Sequence, residues 1–351
     1  RTIMLGSNNY LALTNHPEII KAGKDAIEKY GSGCSGSRFL NGTLDIHEKL
    51  ESDLALFLHQ ESAMTFSTGF QSNLGIISAI IGRGDYIVCD RENHASIYDA
   101  CKLSYGKMVR YNHNDMEDLE RKLKEIPNEA GILIVTDGVF SMSGDICNLP
   151  VIVDLAHKYN ARVMVDDAHG LGVIGKYGRG TGEYYNMEDK IDIYMGTFSK
   201  SLASLGGYMA GKKEVVEYLK HNSRPYIFSA SMTPASVCCA NKALDILKRE
   251  PERVERLNRV SDYMRKGLKT NGIDIIESKT PIIPIYTYQD DKTFIACKLL
   301  LERGVYVNPV VSPATPVGQS LLRTSYTSNH TEDILDEAII KIKEVLNILN
   351  N

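Results

Sequence analysis

An α/β fold with a mainly parallel sheet is the architecture this sequence predicts, and three observations predict it. From about residue 60 to 210, short β-branched runs alternate with longer helical patterns, the rhythm of βαβ units. Several of those runs end in small or ionisable residues, as strands do where an open sheet binds ligands beyond its carboxyl edge. After Pro225 the rhythm changes to long helices mixed with a few strands, which predicts a smaller α+β domain.

Taken in order, the first 40 residues hold one helix, 17–30, and a glycine- and serine-rich stretch, 31–37. Strands are expected at 63–66, 86–89, 132–136, 163–165 and 191–195, and helices at 70–81, 94–105, 116–126 and 149–159. Beyond the change of rhythm come helical tracts at 234–250 and 251–271, and strands at 273–276 and 282–288. A helix through Leu301, strands at 305–310 and 321–326, and a last helix opened by His330-Thr331-Glu332-Asp333 follow. The expected division is an N-terminal arm at 1–40, a large domain at 41–228 and a C-terminal α+β domain at 229–351. The chain begins with Arg1 rather than Met, so the arm is expected to be truncated.

Composition excludes several classes. A formal net charge of −4 and the lack of any basic run give no reason to expect nucleic acid. Apolar stretches are interrupted well before about 18 residues, so no integral membrane segment is expected. Seven cysteines, at 34, 89, 101, 147, 238, 239 and 297, have no CxxC spacing. They read as reduced thiols of a cytoplasmic enzyme rather than metal ligands or a disulfide framework, and no metal is expected.

Three strand ends carry candidate chemistry. Val163-Met164-Val165 runs into Asp166-Asp167-Ala168-His169; a carboxylate there can pair with a protonated ring nitrogen, or either aspartate can cap a helix. Ile191–Met195 runs into Gly196-Thr197-Phe198-Ser199-Lys200-Ser201. A lysine amine becomes a nucleophile where burial or neighbouring charge depresses its pKa; the other reading is a surface lysine in a serine-rich loop, and the following Leu205-Gly206-Gly207 weighs against it. Thr65-Phe66-Ser67-Thr68-Gly69-Phe70 turns through glycine into a helix whose first N–H groups suit a phosphate. Neither a P-loop nor a GxGxxG after a strand is present, and the isolated Gly178-Arg179-Gly180-Thr181-Gly182 is too weak to stand for one. His94, just beyond the 86–89 strand, can stack on an aromatic ligand, or simply cap or fill the core.

Together these segments, with Ser7-Asn8-Asn9-Tyr10-Leu11 and Thr136-Asp137-Gly138-Val139-Phe140-Ser141-Met142, resemble the α-oxoamine synthases among the fold-type I pyridoxal-phosphate enzymes. The resemblance runs from Leu5 to about Thr331 and implies a seven-stranded sheet in the large domain. It implies pyridoxal 5′-phosphate as cofactor, held as a Schiff base by Lys200. Asp166 then matches the pyridinium partner, His94 the stacked histidine, and His169 and Ser141 the residues on the O3′ side. Gly69, Phe70 and Thr197 match the phosphate side, joined by Ser231 and Thr233 from the neighbouring copy of a homodimer with shared active sites. Arg323, with Asn8, matches the residues that bind the amino-acid carboxylate.

The implied reaction is decarboxylative condensation of a small amino acid with an acyl-CoA. Residues 196–204, Ser223-Arg224-Pro225-Tyr226-Ile227-Phe228 and Ser312-Pro313-Ala314-Thr315-Pro316 resemble members that join L-serine to palmitoyl-CoA. Residues 137–141 and Asp166-Asp167-Ala168-His169 read more like members that use glycine with acetyl-CoA or alanine with pimeloyl-CoA. An aminotransferase or lyase of the same fold, which would need no acyl-CoA, is the nearest alternative; a catalytically silent subunit is a remoter one, since Lys200 is present.

Overall fold

The computed structural model describes residues 1–350, the last by its backbone alone. The chain forms two compact units: Leu13–Phe140 with Cys147–Pro251, and Arg1–Ala12 with Ser141–Ile146 and Glu252–Asn351.

The larger unit is built on a seven-stranded sheet. Its spatial order is Ser62–Phe66, Gly207–Gly211, Ile193–Thr197, Arg162–Asp166, Ile132–Asp137, Tyr86–Asp90 and Lys107–Tyr111. Gly207–Gly211 runs antiparallel to both neighbours, and the other pairings are parallel. The C-terminal ends of six strands therefore emerge on one edge, the edge that carries Asp90, Asp137, Asp166 and Thr197. Central strands such as Ile132–Asp137 are buried along their whole length, as expected of a sheet covered on both faces. Ile76, Ile87, Leu133, Met164, Met195 and Met209 belong to one apolar cluster within this unit.

Two strands of this sheet lack a clear sequence signal. Lys107–Tyr111 is an edge strand whose charges face water. Gly207–Gly211 is glycine-rich because helix Gly69–Ile80 lies against its start. A Cβ on Gly207 would stand 2.4 Å from Ser72 Oγ and 2.7 Å from Gly69 Cα. Helix Asp45–Phe57 was also not anticipated.

The smaller unit has a three-stranded antiparallel sheet, Asn308–Val310, Ser320–Ser325 and Ile282–Tyr288, with helices Glu252–Thr270, Asp290–Glu302 and Glu332–Asn350. Its core includes Leu5, Met264, Ile283, Leu300, Leu322 and Ile342. The expected strand at 305–310 is two strands with different partners: Val305–Tyr306 pairs in parallel with Ile3–Met4, and Asn308–Val310 joins the three-stranded sheet. The expected strand at 273–276 amounts to a single bridge, Ile275 to Ile285.

The compact units have different limits from the expected division. Ile3 and Leu5 are buried in the smaller unit, where Ile3 N–H donates to Gly304 O and Leu5 O accepts from Ser325 N–H. Helix Pro234–Arg249, expected to open the C-terminal domain, belongs to the larger unit; Cys239 Sγ reaches Ile19 O of helix Pro17–Tyr30 at 3.5 Å.

Candidate active site

At the edge of the large sheet the register sets Asp137 and Asp166 side by side on neighbouring strands, both buried. Two carboxylates in low dielectric cannot both ionise cheaply. Asp137 responds: burial first, then the charge of Asp166, push its pKa well above the usual carboxylate range. The backbone N–H of His94, 3.2 Å from Asp137 Oδ2, and the positive charge of Lys200 oppose that push.

Asp166 is held on both oxygens. Ala168 N–H donates to Oδ1 at 3.0 Å and Asn73 Nδ2 to Oδ2 at 2.7 Å. His94 occupies the cap position of helix Ala95–Leu103, with Nδ1 accepting from Ser96 N–H at 3.3 Å and lying 2.7 Å from Ser96 Oγ. Burial lowers its pKa, and the charge of Lys200 acts the same way against an upward pull from Asp166. Sequence reasoning thus selected three residues, Lys200, Asp166 and His94, that the fold gathers into one electrostatic cluster. His169 is buried on the turn that follows Asp166.

Helix Gly69–Ile80 starts beside this cluster. Thr68 caps it by accepting from Gln71 N–H at 3.1 Å, and helical geometry leaves the first N–H groups, at Gly69 and Phe70, without intrahelical partners. A Cβ on Gly69 would lie 2.9 Å from Thr197 Cβ and Oγ1, so glycine is what allows this approach. Thr197 Oγ1 donates to Gly206 O at 2.9 Å and lies 2.9 Å from Ser199 Oγ. Phe70 meets the His94 ring edge-to-face with centroids 6.4 Å apart. Ser231 N–H donates to Gly36 O at 3.0 Å. Thr233 serves its own chain as the cap of helix Pro234–Arg249, accepting from Ser236 N–H at 3.3 Å.

In the smaller unit the structure joins Asn8, Ser141 and Arg323. The buried guanidinium donates from Nε to Ser141 O at 2.6 Å and from Nη2 to Asn8 Oδ1 at 3.0 Å. Ser141 meets Arg323 through its backbone carbonyl. Tyr10 adds a hydroxyl 3.4 Å from Asn8 Oδ1; burial raises its pKa, against the pull of Arg323. Two acceptors hold the arginine in one orientation, which suits a bidentate grip on a carboxylate.

Sequence reasoning gave no role to Asn73, Ser96 or Asp137, all of which touch the residues it did select. The available signals were the i, i+4 spacing of Gly69 and Asn73 on one helix face and the parallel strand ends that align Asp137 with Asp166. The donor set fits pyridoxal phosphate. Each Asp166 oxygen accepts one protein hydrogen bond and keeps a lone pair for a ring N–H. The hydroxyls of Ser201 and Ser231 are buried without a partner among the described residues, as polar groups reserved for a ligand are.

Comparison with known proteins agrees. Residues 1–342 match the model of the family described as aminotransferase class I and II. A serine palmitoyltransferase of Sphingobacterium spiritivorum is 54% identical over 98% of this chain and 86% of its own length. An 8-amino-7-oxononanoate synthase of Thermoanaerobacter pseudethanolicus is 44% identical over 99% of this chain and 88% of its own. A serine palmitoyltransferase variant solved with pyridoxal phosphate matches the fold with a TM-score of 0.97 at 39% identity, covering 99% of this chain and 88% of that one. This chain belongs to the aminotransferase class I and II family, as a pyridoxal-phosphate-dependent acyltransferase of the α-oxoamine synthase type.

Proposed function

We propose that this chain catalyses the decarboxylative condensation of L-serine with palmitoyl-CoA to 3-oxosphinganine, releasing CoA and CO2. The near-full-length likeness to serine palmitoyltransferases, set on an intact Lys200, Asp166 and His94 cluster, carries the reading. Pyridoxal phosphate supplies an electron sink that stabilises negative charge at the substrate Cα.

The residues divide the remaining work. Asp166 would pair with the ring nitrogen, His94 would lie against the ring face, Lys200 would hold the cofactor at its aldehyde carbon, and His169 and Ser141 would serve the O3′ side. Gly69, Phe70 and Thr197 would hold the phosphate, joined by Ser231 and Thr233 of a second copy in a homodimer. Arg323 and Asn8 bind the serine carboxylate. With L-serine bound, the free Lys200 amine would be the base that takes the Cα proton. The serine Cα would then form a bond to the acyl carbonyl carbon as the C–S bond to CoA breaks and CoA leaves as thiolate. The Cα–carboxylate bond breaks next to release CO2, and a proton returns to Cα. Among the described residues no helix is long and apolar enough to cross a membrane, and we place the enzyme in the cytoplasm.

Crossing L-serine, glycine and L-alanine with palmitoyl-CoA, acetyl-CoA and pimeloyl-CoA, and measuring CoA thiol and CO2 release, tests the assignment. Turnover confined to serine with palmitoyl-CoA is expected. A preference for alanine with pimeloyl-CoA would move the chain to the second reading, 8-amino-7-oxononanoate synthase, which the Thermoanaerobacter relative favours.

A further inference from the structure

Between Asp166 and His94 runs a chain of three hydrogen bonds made by residues with no assigned part in the reaction. Asn73, fully buried on helix Gly69–Ile80, spends both of its amide N–H bonds: one on Asp166 Oδ2 at 2.7 Å, the other on Ser96 Oγ at 2.9 Å. Its orientation is forced, because a flipped amide would point its oxygen at the Asp166 carboxylate. Ser96, also buried, has its Oγ 2.7 Å from His94 Nδ1. Having accepted from Asn73, the hydroxyl has its own proton to give to that nitrogen.

The tautomer follows from one further contact. Ser96 backbone N–H donates to the same Nδ1 at 3.3 Å, and a backbone N–H cannot act as an acceptor. Nδ1 must therefore carry a lone pair, which leaves the imidazole neutral with its proton on Nε2. We propose that Asn73 and Ser96 are positioning residues: Asn73 fixes the Asp166 carboxylate and, through Ser96, locks His94 as the neutral Nε2–H tautomer. The two groups assigned to the cofactor ring, one at its nitrogen and one at its face, are thereby set by a single amide. The inference rests on the assignment of Asp166 and His94 to the cofactor.

The other groups around His94 bear on its charge. Asp166 favours the imidazolium and Lys200 disfavours it. Asp137 receives the His94 backbone N–H, and Phe70 packs on the ring edge. Burial acts on the side of the neutral ring.

The test is nitrogen NMR of 15N-histidine-labelled protein, with and without cofactor, the His94 signals assigned by loss in His94→Asn. Wild type is expected to show a bare Nδ1 and a protonated Nε2 from pH 6 to 8. In Ser96→Ala the Nδ1 resonance moves and the ring titrates inside that range. With cofactor bound, Ser96→Ala and Asn73→Ala should each lower kcat about tenfold while KM for serine stays within about threefold, and Asn73→Ala should also shift the pH titration of cofactor absorbance. Should Asn73→Ala fail to fold, Ser96→Ala carries the test alone. A wild-type ring protonated at Nδ1, or a Ser96→Ala protein with the wild-type Nδ1 resonance, titration and kcat, overturns the proposal. Failure of the cofactor assignment reads out separately, as wild-type protein that binds no pyridoxal phosphate while the NMR of the cofactor-free protein still reports the tautomer.

Discussion

The larger unit contains two buried polar clusters that solve the same electrostatic problem in opposite ways. Around Arg38 and Glu51 every charge is matched: the guanidinium meets the carboxylate at 2.6 and 3.1 Å, Thr65 donates to Glu51 from both N–H and Oγ1, and Tyr226 lies 5.6 Å from the guanidinium. Around Asp166 the charges are crowded instead. Asp137 lies beside it, the charge of Lys200 acts on Asp137, and lone pairs remain uncommitted. A closed cluster pins the chain; an open one holds groups ready for a ligand. The contrast separates what removal of a residue should do in each place.

The largest effect falls in the open cluster. Lys200→Ala should lose turnover on the order of ten-thousandfold, by analogy with the loss of other covalent nucleophiles, while keeping wild-type circular dichroism. Near wild-type turnover would end the assignment of Lys200. In the closed cluster, Arg38→Met should cost about 3–5 kcal/mol in denaturant unfolding, because it strands Glu51 as an uncompensated buried charge. The kcat of its folded fraction should be unchanged; a selective loss of kcat would erase the distinction between the clusters.

Asp167 sharpens the comparison, since it sits next to Asp166 yet behaves as a structural carboxylate. Thr181 donates to it from N–H at 2.8 Å and Oγ1 at 2.5 Å, and burial raises its pKa to about 7 from an ordinary 3.8. Between those values the folded protein keeps a proton that the unfolded chain has lost. Stability from this group is therefore full below pH 3.8, falls as pH rises through the window, and is gone above about 7. The change is at most about 4 kcal/mol. Asp167→Asn should flatten the dependence of unfolding free energy on pH across that window; an unchanged slope would show that the carboxyl ionises normally in the fold.

Thr233 makes the smallest difference. Thr233→Ala should lose about 1 kcal/mol for the missing helix cap. Thr233→Ser should restore it. If cofactor affinity falls with the alanine variant and returns with serine, the hydroxyl also serves the phosphate.

How much of this was legible depended on whether a signal was local. Parallel strands collect their ends on one edge, so a run such as Met164-Val165-Asp166 points to both a strand and a candidate site, and Lys200 and His94 could be read as candidates likewise. Gly207–Gly211 could not, because its glycines answer to a helix more than 130 residues earlier in the chain rather than to β-propensity. Asn73 and Ser96 escaped notice for a related reason. A polar residue inside a helix marks no period, and its role is defined by what it faces. Nor did any neighbour in sequence predict that Ile3–Met4 would pair with Val305–Tyr306.

That pairing has a consequence for how the protein is made. The segments alternate between the two units four times along the chain, so their order of completion on the ribosome is fixed. Everything the larger unit needs has been synthesised by Pro251, whereas Ile3 and Leu5 must wait for partners some 300 residues downstream. During translation these apolar residues stay undocked until those partners emerge. Folding of the smaller unit is therefore a late event of high contact order.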